Sequence, residues 1–427
     1  MATFLEIKQL LGRIFTAENI NESSDIEIPD SSLGNNGQNI ILSNEKLKEA
    51  FDGVGSYTIE KLEMYNKTYR EVLLQYSTPA TAMRLDGAPS ITDTTNKLSY
   101  AVGPASIEYS MFLLGVISDG VKAGDRTMLI DIRHRSRMIG RREISPEIRN
   151  NPIAILPEIL RAYTLKISSE NDTFIDFFRE YASSYEFLFM YKQGVLLSEC
   201  NDVQDMYSFS VRSNRGFERE IVDTPPLRIY NSAVLDYYAM AMEARDPFTM
   251  YISFYHVVEH YFDEIFRKKL SEEIKDKLTH PDFSYKDESK LFELAKFVRK
   301  RLKSDDDSGK GNEYDSLGYV LREYVPIEDL KARIGKLDSS AVTYYQAQAV
   351  PFVKREKSTK IAWSDAQGVY TGITTRIYET RNALVHSKSD RADSRYRPYE
   401  DRKDLSREIA LIRSVAELVI INSSEAI

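Results

Sequence analysis

In FYHVVEHYF, residues 254–262, His256, Glu259 and His260 have the H-x-x-E-H spacing of one class of zinc peptidases. Imidazoles at i and i+4 stand one turn apart on one side of a helix, where two of them can hold a single zinc ion. That chemistry also needs a third ligand, usually a carboxylate on a separate downstream helix, and a cleft for an extended peptide. Glu323 and Glu328 are available, but nothing around them repeats the peptidase pattern. The stretch has a plainer reading. Phe254, Tyr255, Val258, Tyr261, Phe262, Ile265 and Phe266 form one wide apolar face of a long helix opening at Asp246-Pro247. His256, Glu259 or His260, Asp263 and Arg267 form the complementary polar stripe. We expect a packing or interface helix here, with no metal and no other cofactor, and keep the zinc peptidase as a remote alternative.

A quieter pattern lies in RIYETRNALVHSK. Arg381 and His386 are separated by four residues, and Asn382 follows the arginine directly. This resembles the active-site signature of HEPN domains, the helical ribonucleases of toxins, CRISPR effectors and phage-defence proteins. In that family an Arg and a His stand four to six residues apart, and Asn is a favoured second residue. The motif here sits near the end of a helical C-terminal region and is followed by one amphipathic segment, Leu405 to Ile421, where the family places it. DPFTMYISFYHVVEHYFDEIF likewise resembles the first long helix of C-terminal HEPN-type domains. The resemblance covers residues 226–427.

The resemblance implies a metal-independent endoribonuclease with Arg381, Asn382 and His386 as catalytic residues and RNA as substrate. Metal-free cleavage needs a base for the ribose 2′-hydroxyl, an acid for the leaving 5′-oxygen and a cation for the crowded phosphate. Histidine titrates near neutrality, and arginine offers a fixed fork of donors to phosphate oxygens. One histidine cannot easily make both proton transfers, and residues five apart on a helix are rotated by roughly 140°, so they do not share a face. HEPN enzymes assemble a composite site across two domains, so the resemblance implies a homodimer. Asn382 would orient the phosphate or the histidine, Arg376 and Lys388 would meet neighbouring RNA phosphates, and Glu259 and His256 would line the site. A phage-derived trigger or an inhibitory partner is the expected control of such an effector, as in abortive infection. The alternative is a non-catalytic HEPN-fold sensor or scaffold that binds a partner or a nucleotide.

A third cationic feature is DIRHRSRMIGRRE. Read as a strand, it points Arg133, Arg135 and Arg137 to one side, with Arg141 and Arg142 following. That face would suit phosphates, but Asp131, Glu143 and Glu147 are near enough to neutralise it, and a solvated strand face is the favoured reading.

The elements that must position these residues fall into two parts. The 427 residues suffice for two or three domains, and 42% hydrophobic with 29% charged residues is a globular composition. A net charge of −8 argues against coating nucleic acid by bulk electrostatics, though not against a few local cations. The single Cys200 excludes an intrachain disulfide framework. The N-terminus lacks a basic start and unbroken apolar stretch, so a cytoplasmic location without a membrane partner is expected. Residues 18–44 read as a polar surface connection, KLSYAVGPASIEYSMFLLGV and TMLIDIRHRSRMI as strands, and DTFIDFFREYASSYEFLFMYKQG as a long helix buried through Phe174, Phe177, Phe178, Tyr181 and Tyr185. After Asp223-Thr-Pro-Pro everything reads as helix. The expected fold is an α+β domain of sensor or regulatory role over 1–225, followed by an all-α HEPN-like bundle over 226–427.

Overall fold

The computed structural model describes residues 2–29, 39–76, 90–139, 146–194, 196–204, 222–302, 311–353, 359–365, 368–385 and 396–426. The chain forms two compact units, the first closing at Pro226 and the second running on from Leu227, with Met190–Gly194 counted in the second. The first is α+β and the second helical, as the patterning implies.

The first unit runs α1 (Phe4–Phe15), an antiparallel pair β1 (Ile26–Ile28) and β2 (Ile40–Leu42), and α2 (Asn44–Val54). Strands β3 (Thr58–Glu60), β4 (Glu63–Tyr65), β5 (Tyr69–Tyr76), β6 (Ile91–Asp93) and β7 (Leu98–Pro104) follow. Then come helices α3 (Ile107–Lys122), α4 (Thr127–Ile139), α5 (Pro146–Asn150) and α6 (Ile155–Leu160), strand β8 (Tyr163–Ser169), helix α7 (Ile175–Gln193) and strand β9 (Leu197–Glu199). The sheet order is β3-β4-β5-β8-β7-β6, with β9 also on β5, and the neighbours are antiparallel.

Successive residues of a strand point to opposite faces, and β5 uses both for charge. Arg70 is buried against Glu63 and, at 2.7 Å, Glu199. Glu71, also buried, accepts from the Ser106 hydroxyl (2.6 Å), Ser106 N–H (2.8 Å), Thr164 (2.7 Å) and Tyr69 (2.7 Å). The same Ser106 hydroxyl accepts from Tyr109 N–H at the start of α3, so the carboxylate ties sheet to helix.

Several sequence expectations are corrected here. The alternation at Leu98, Tyr100 and Val102 is a strand, but Ile107, Tyr109 and Met111 belong to α3, where Tyr109–Leu114 are all buried. A fully buried helix has no polar side, so its period is hidden. TMLIDIRHRSRMI is α4, not a strand. On a helix Arg133 and Arg137 lie one turn apart, while Arg135 points elsewhere and donates to Leu160 O (3.2 Å). The three therefore share no face, and Arg141 and Arg142 lie outside the described residues. Residues 18–44 contain β1 and β2 rather than a bare connection. Phe178, Tyr181 and Tyr185 of α7 are buried, but Phe174 precedes the helix and is 88% exposed.

The second unit opens with β10 (Arg228–Ile229) and continues through α8 (Ser232–Glu243), α9 (Pro247–Glu259), α10 (Phe262–Thr279), α11 (Glu288–Leu302), α12 (Gly311–Tyr324), α13 (Ile327–Leu337), α14 (Ala341–Ala347), α15 (Val369–Val385) and α16 (Arg402–Asn422). Strand β11 (Glu425–Ala426) closes it, antiparallel to β10. Asp246 caps α9 by accepting from Thr249 N–H (2.9 Å), with Pro247 at the first helical position. The long helix read from the sequence breaks at His260–Tyr261 into α9 and α10, yet all seven apolar residues of its face are buried.

Helix α9 packs on α8, α15 and α16, and two buried ionic clusters fix these neighbours. Arg376 of α15 grips Glu408 of α16 through two parallel bonds, Nε to Oε2 (2.7 Å) and Nη2 to Oε1 (2.8 Å). Its Nη1 donates to the carbonyls of Gln348 (2.8 Å) and Thr359 (2.7 Å), and the Tyr345 ring lies 4.7 Å away. In the second cluster Glu417 accepts from Tyr238 (2.8 Å), Arg413 (2.7 Å) and Arg333. Burial pushes the Glu417 carboxyl up, but Arg413 and Arg333 outweigh it and hold the group below its usual range.

Two outcomes follow. Arg376→Ala or Glu408→Ala strands a buried charge and is expected to lower the unfolding free energy by about 3–5 kcal/mol in urea titrations, whereas Arg376→Met with Glu408→Leu costs far less. A carboxyl depressed in the fold stabilises fully above its unfolded pKa, near 4.5, and loses that contribution as pH falls through the lower folded value. Glu417→Gln is therefore expected to be less stable than wild type at neutral pH, with the gap narrowing below pH 4.5.

Candidate active site around Arg381

Arg381 and Asn382 occupy the last turn of α15, five and six residues beyond Arg376. Five residues on a helix turn through roughly 140°, so Arg376 facing α16 sends Arg381 to another side. There Arg381 meets α12 and α9. Its Nη2 is 3.1 Å from Glu313 Oε1 and 3.9 Å from Glu259 Oε1, and its Nη1 donates to Asn382 Oδ1 (3.3 Å). The guanidinium also lies over the Tyr255 ring, 5.4 Å from its centroid.

The supporting contacts come from α9 and α12. Tyr255 is buried, and its hydroxyl donates to the same Glu313 Oε1 (2.7 Å). Burial and the neighbouring Glu313 carboxylate push that hydroxyl far up, so it is a permanent donor. His256 Nδ1–H donates to Glu259 Oε2 (2.8 Å), leaving Nε2 as the free ring nitrogen of that pair, and the Tyr237 ring lies alongside at 5.3 Å. That hydrogen bond depresses the Glu259 carboxyl, and Arg381 adds to it against the opposing effect of burial. Asn382 also hydrogen-bonds Tyr378, whose ring meets Tyr314 edge-on at 5.4 Å. The side chains of Arg381 (19% exposed), Glu313 (24%), Glu259 (35%) and His256 (40%) all remain open to solvent. Three helices thus bring a cation, two carboxylates and a carboxylate-oriented imidazole to one open patch.

A family model described as MauJ, methylamine utilization protein MauJ, matches residues 234–421. That span runs from α8 to α16 and includes every residue of this patch. Among curated proteins and among solved structures nothing matches.

The sequence-expected residues divide three ways. Arg381, Asn382, Glu259 and His256 come together. His386 and Lys388 lie outside the described residues. The expected role of Arg376 in meeting RNA phosphates is corrected: its side chain is 0% exposed and its donors are spent on Glu408 and two carbonyls. The H-x-x-E-H residues do not converge. His256 is turned to Glu259, while His260 ends α9 and has its Nε2 3.2 Å from the Asn231 amide. Glu323 and Glu328 pair with Lys268 (2.6 Å) and Lys331 (3.0 Å). Among the described residues no three His, Cys, Asp or Glu side chains are grouped to hold a metal ion.

Sequence reasoning missed Glu313 and Tyr255. Glu313 sat in what read as a polar loop, and Tyr255 was counted by its ring alone. A buried tyrosine hydroxyl needs a partner, and that signal was available.

The geometry orders the influences on Glu259. In a carboxyl-carbon NMR titration, His256→Ala is expected to raise its pKa towards the ordinary 4.5 by more than Arg381→Ala does. Equal or reversed shifts would contradict the assigned hydrogen bond.

Proposed function

We propose that this chain is a metal-independent endoribonuclease of HEPN type, in which two copies pair their α15 motifs. The observation that supports it most is the open patch in which Arg381 and Asn382 stand beside the His256–Glu259 pair. In this reading Arg381 presents its fork to the scissile phosphate and Asn382 helps orient it. One histidine takes the 2′-hydroxyl proton, the 2′-oxygen attacks phosphorus, and the 5′-oxygen leaves with a proton from the other. His386 supplies one transfer and His256 Nε2 the second, its tautomer set by Glu259 at Nδ1. Glu313 and Tyr255 hold the guanidinium in place before the phosphate arrives.

An unrestrained ribonuclease would damage its own cell, so we assign the α+β unit a restraining role, released by a phage-derived trigger or by loss of an inhibitory partner. A second reading takes support from the family description, whose printed words name methylamine utilization and no reaction. In it the helical unit is a non-catalytic sensor or scaffold, and the Arg381 patch binds an anionic partner or nucleotide.

The two readings differ in what EDTA-treated protein does to RNA. The nuclease reading expects cleavage by wild type that falls by about 100-fold or more in His386→Ala, Arg381→Ala and His256→Ala. Of these, His256→Ala should keep RNA affinity while losing one limb of the pH–rate profile. Absence of cleavage by wild type under every trigger tried, with RNA or nucleotide still bound, would favour the second reading.

A further inference from the structure

Helix α11 has no buried residue among those described. One side of it is turned to its neighbours. Phe297 lies under the Lys277 ammonium of α10 at 4.5 Å, and Arg301 reaches Glu273 of α10 (3.0 Å) and Asp315 of α12 (3.4 Å). The other side carries Leu291, Ala295, Val298 and Leu302, which with Leu294 and Arg299 line an apolar groove. Leu291 is 43% and Leu302 58% exposed.

The spacing of this open face is informative. From Leu291 to Leu302 the steps are four, three and four, a mean near 3.5 residues, which is the seam of a two-helix coiled coil. The charges are polarised along the helix. Glu288 and Glu293 stand in the N-terminal half, and Lys296, Arg299 and Lys300 in the C-terminal half.

We propose that α11 docks on α11 of a second copy of this chain, antiparallel across a twofold axis. Antiparallel pairing sets the acidic half of each helix beside the basic half of the other and opposes their dipoles, whereas parallel pairing stacks like on like. It also matches the seam, with Leu291 facing Leu302 of the second copy and Ala295 facing Val298. A twofold contact must be self-complementary, and this face is so in both shape and charge. A pair of 15-residue helices buries less than the roughly 800 Å² per partner of a standard interface, so the dimer is concentration-dependent, with a dissociation constant in the micromolar range. The proposal goes beyond the nuclease reading by naming a surface, and it uses none of the residues around Arg381.

Sedimentation equilibrium of the full chain between about 1 and 100 µM tests it. Wild type is expected to move from monomer to dimer across that range. Leu291→Glu with Leu302→Glu sets acid against acid at both ends and is expected to stay monomeric with an unchanged melting curve, since both positions are exposed. In a Cys200→Ser background, Ala295→Cys with Val298→Cys is expected to cross-link on mild oxidation, while Ala295→Cys alone is not. A wild type monomeric at 100 µM, a dimer indifferent to the double glutamate, or cross-linking by Ala295→Cys alone would overturn the proposal. RNA cleavage enters none of these readouts, so failure here and failure of the nuclease reading are separable.

Discussion

The buried pair between Arg376 and Glu408 is the constraint on which the helical unit depends. An arginine taken wholly out of water persists only if its charge is matched and its donors are engaged, and here a bidentate carboxylate and two carbonyls do both. Because those partners lie on α16 and on the segments holding Gln348 and Thr359, they fix the rotation of α15 about its own axis. The rotation decides where the next arginine goes. Arg381, five residues on, turns towards α9 and α12, keeping part of its surface in water.

The contrast between the two arginines separates structural charge from charge open to a ligand. Arg376 is 0% exposed and embedded between tyrosine rings, so no anion from solution reaches it. Arg381 has a carboxylate at 3.1 Å and another at 3.9 Å, a looser hold that an incoming phosphate can share. The same division runs through the first unit, where Arg70 and Glu71 are sequestered on opposite faces of β5 and serve the sheet.

How much of this was legible in the sequence follows from what each signal depends on. Helices with a polar side and a capping residue were readable; Asp246-Pro247 opens α9 as its sequence implies. Helix α3 was not, because burial all round erases the period, and α4 was misread because arginines at every second position imitate a strand. The α+β character survived both errors, since β7 and the antiparallel order of its neighbours do not depend on them. In the candidate site Arg381, Asn382 and Glu259 were legible through a motif and a polar stripe. Glu313 was not, because the bond joining it to Tyr255 spans 58 residues of sequence. Arg376 went wrong for a related reason: nothing local says that its side of α15 would meet Glu408 rather than water.

The central claim is that the Arg381 patch belongs to a site that cuts RNA by internal attack of the ribose 2′-oxygen. The ends left on the RNA test it most directly. After incubation with the full chain in EDTA, mass spectrometry of the fragments should find 2′,3′-cyclic phosphate on one side of each cut and 5′-hydroxyl on the other. An uncut RNA under every trigger, or fragments ending in 3′-hydroxyl and 5′-phosphate, would contradict the account.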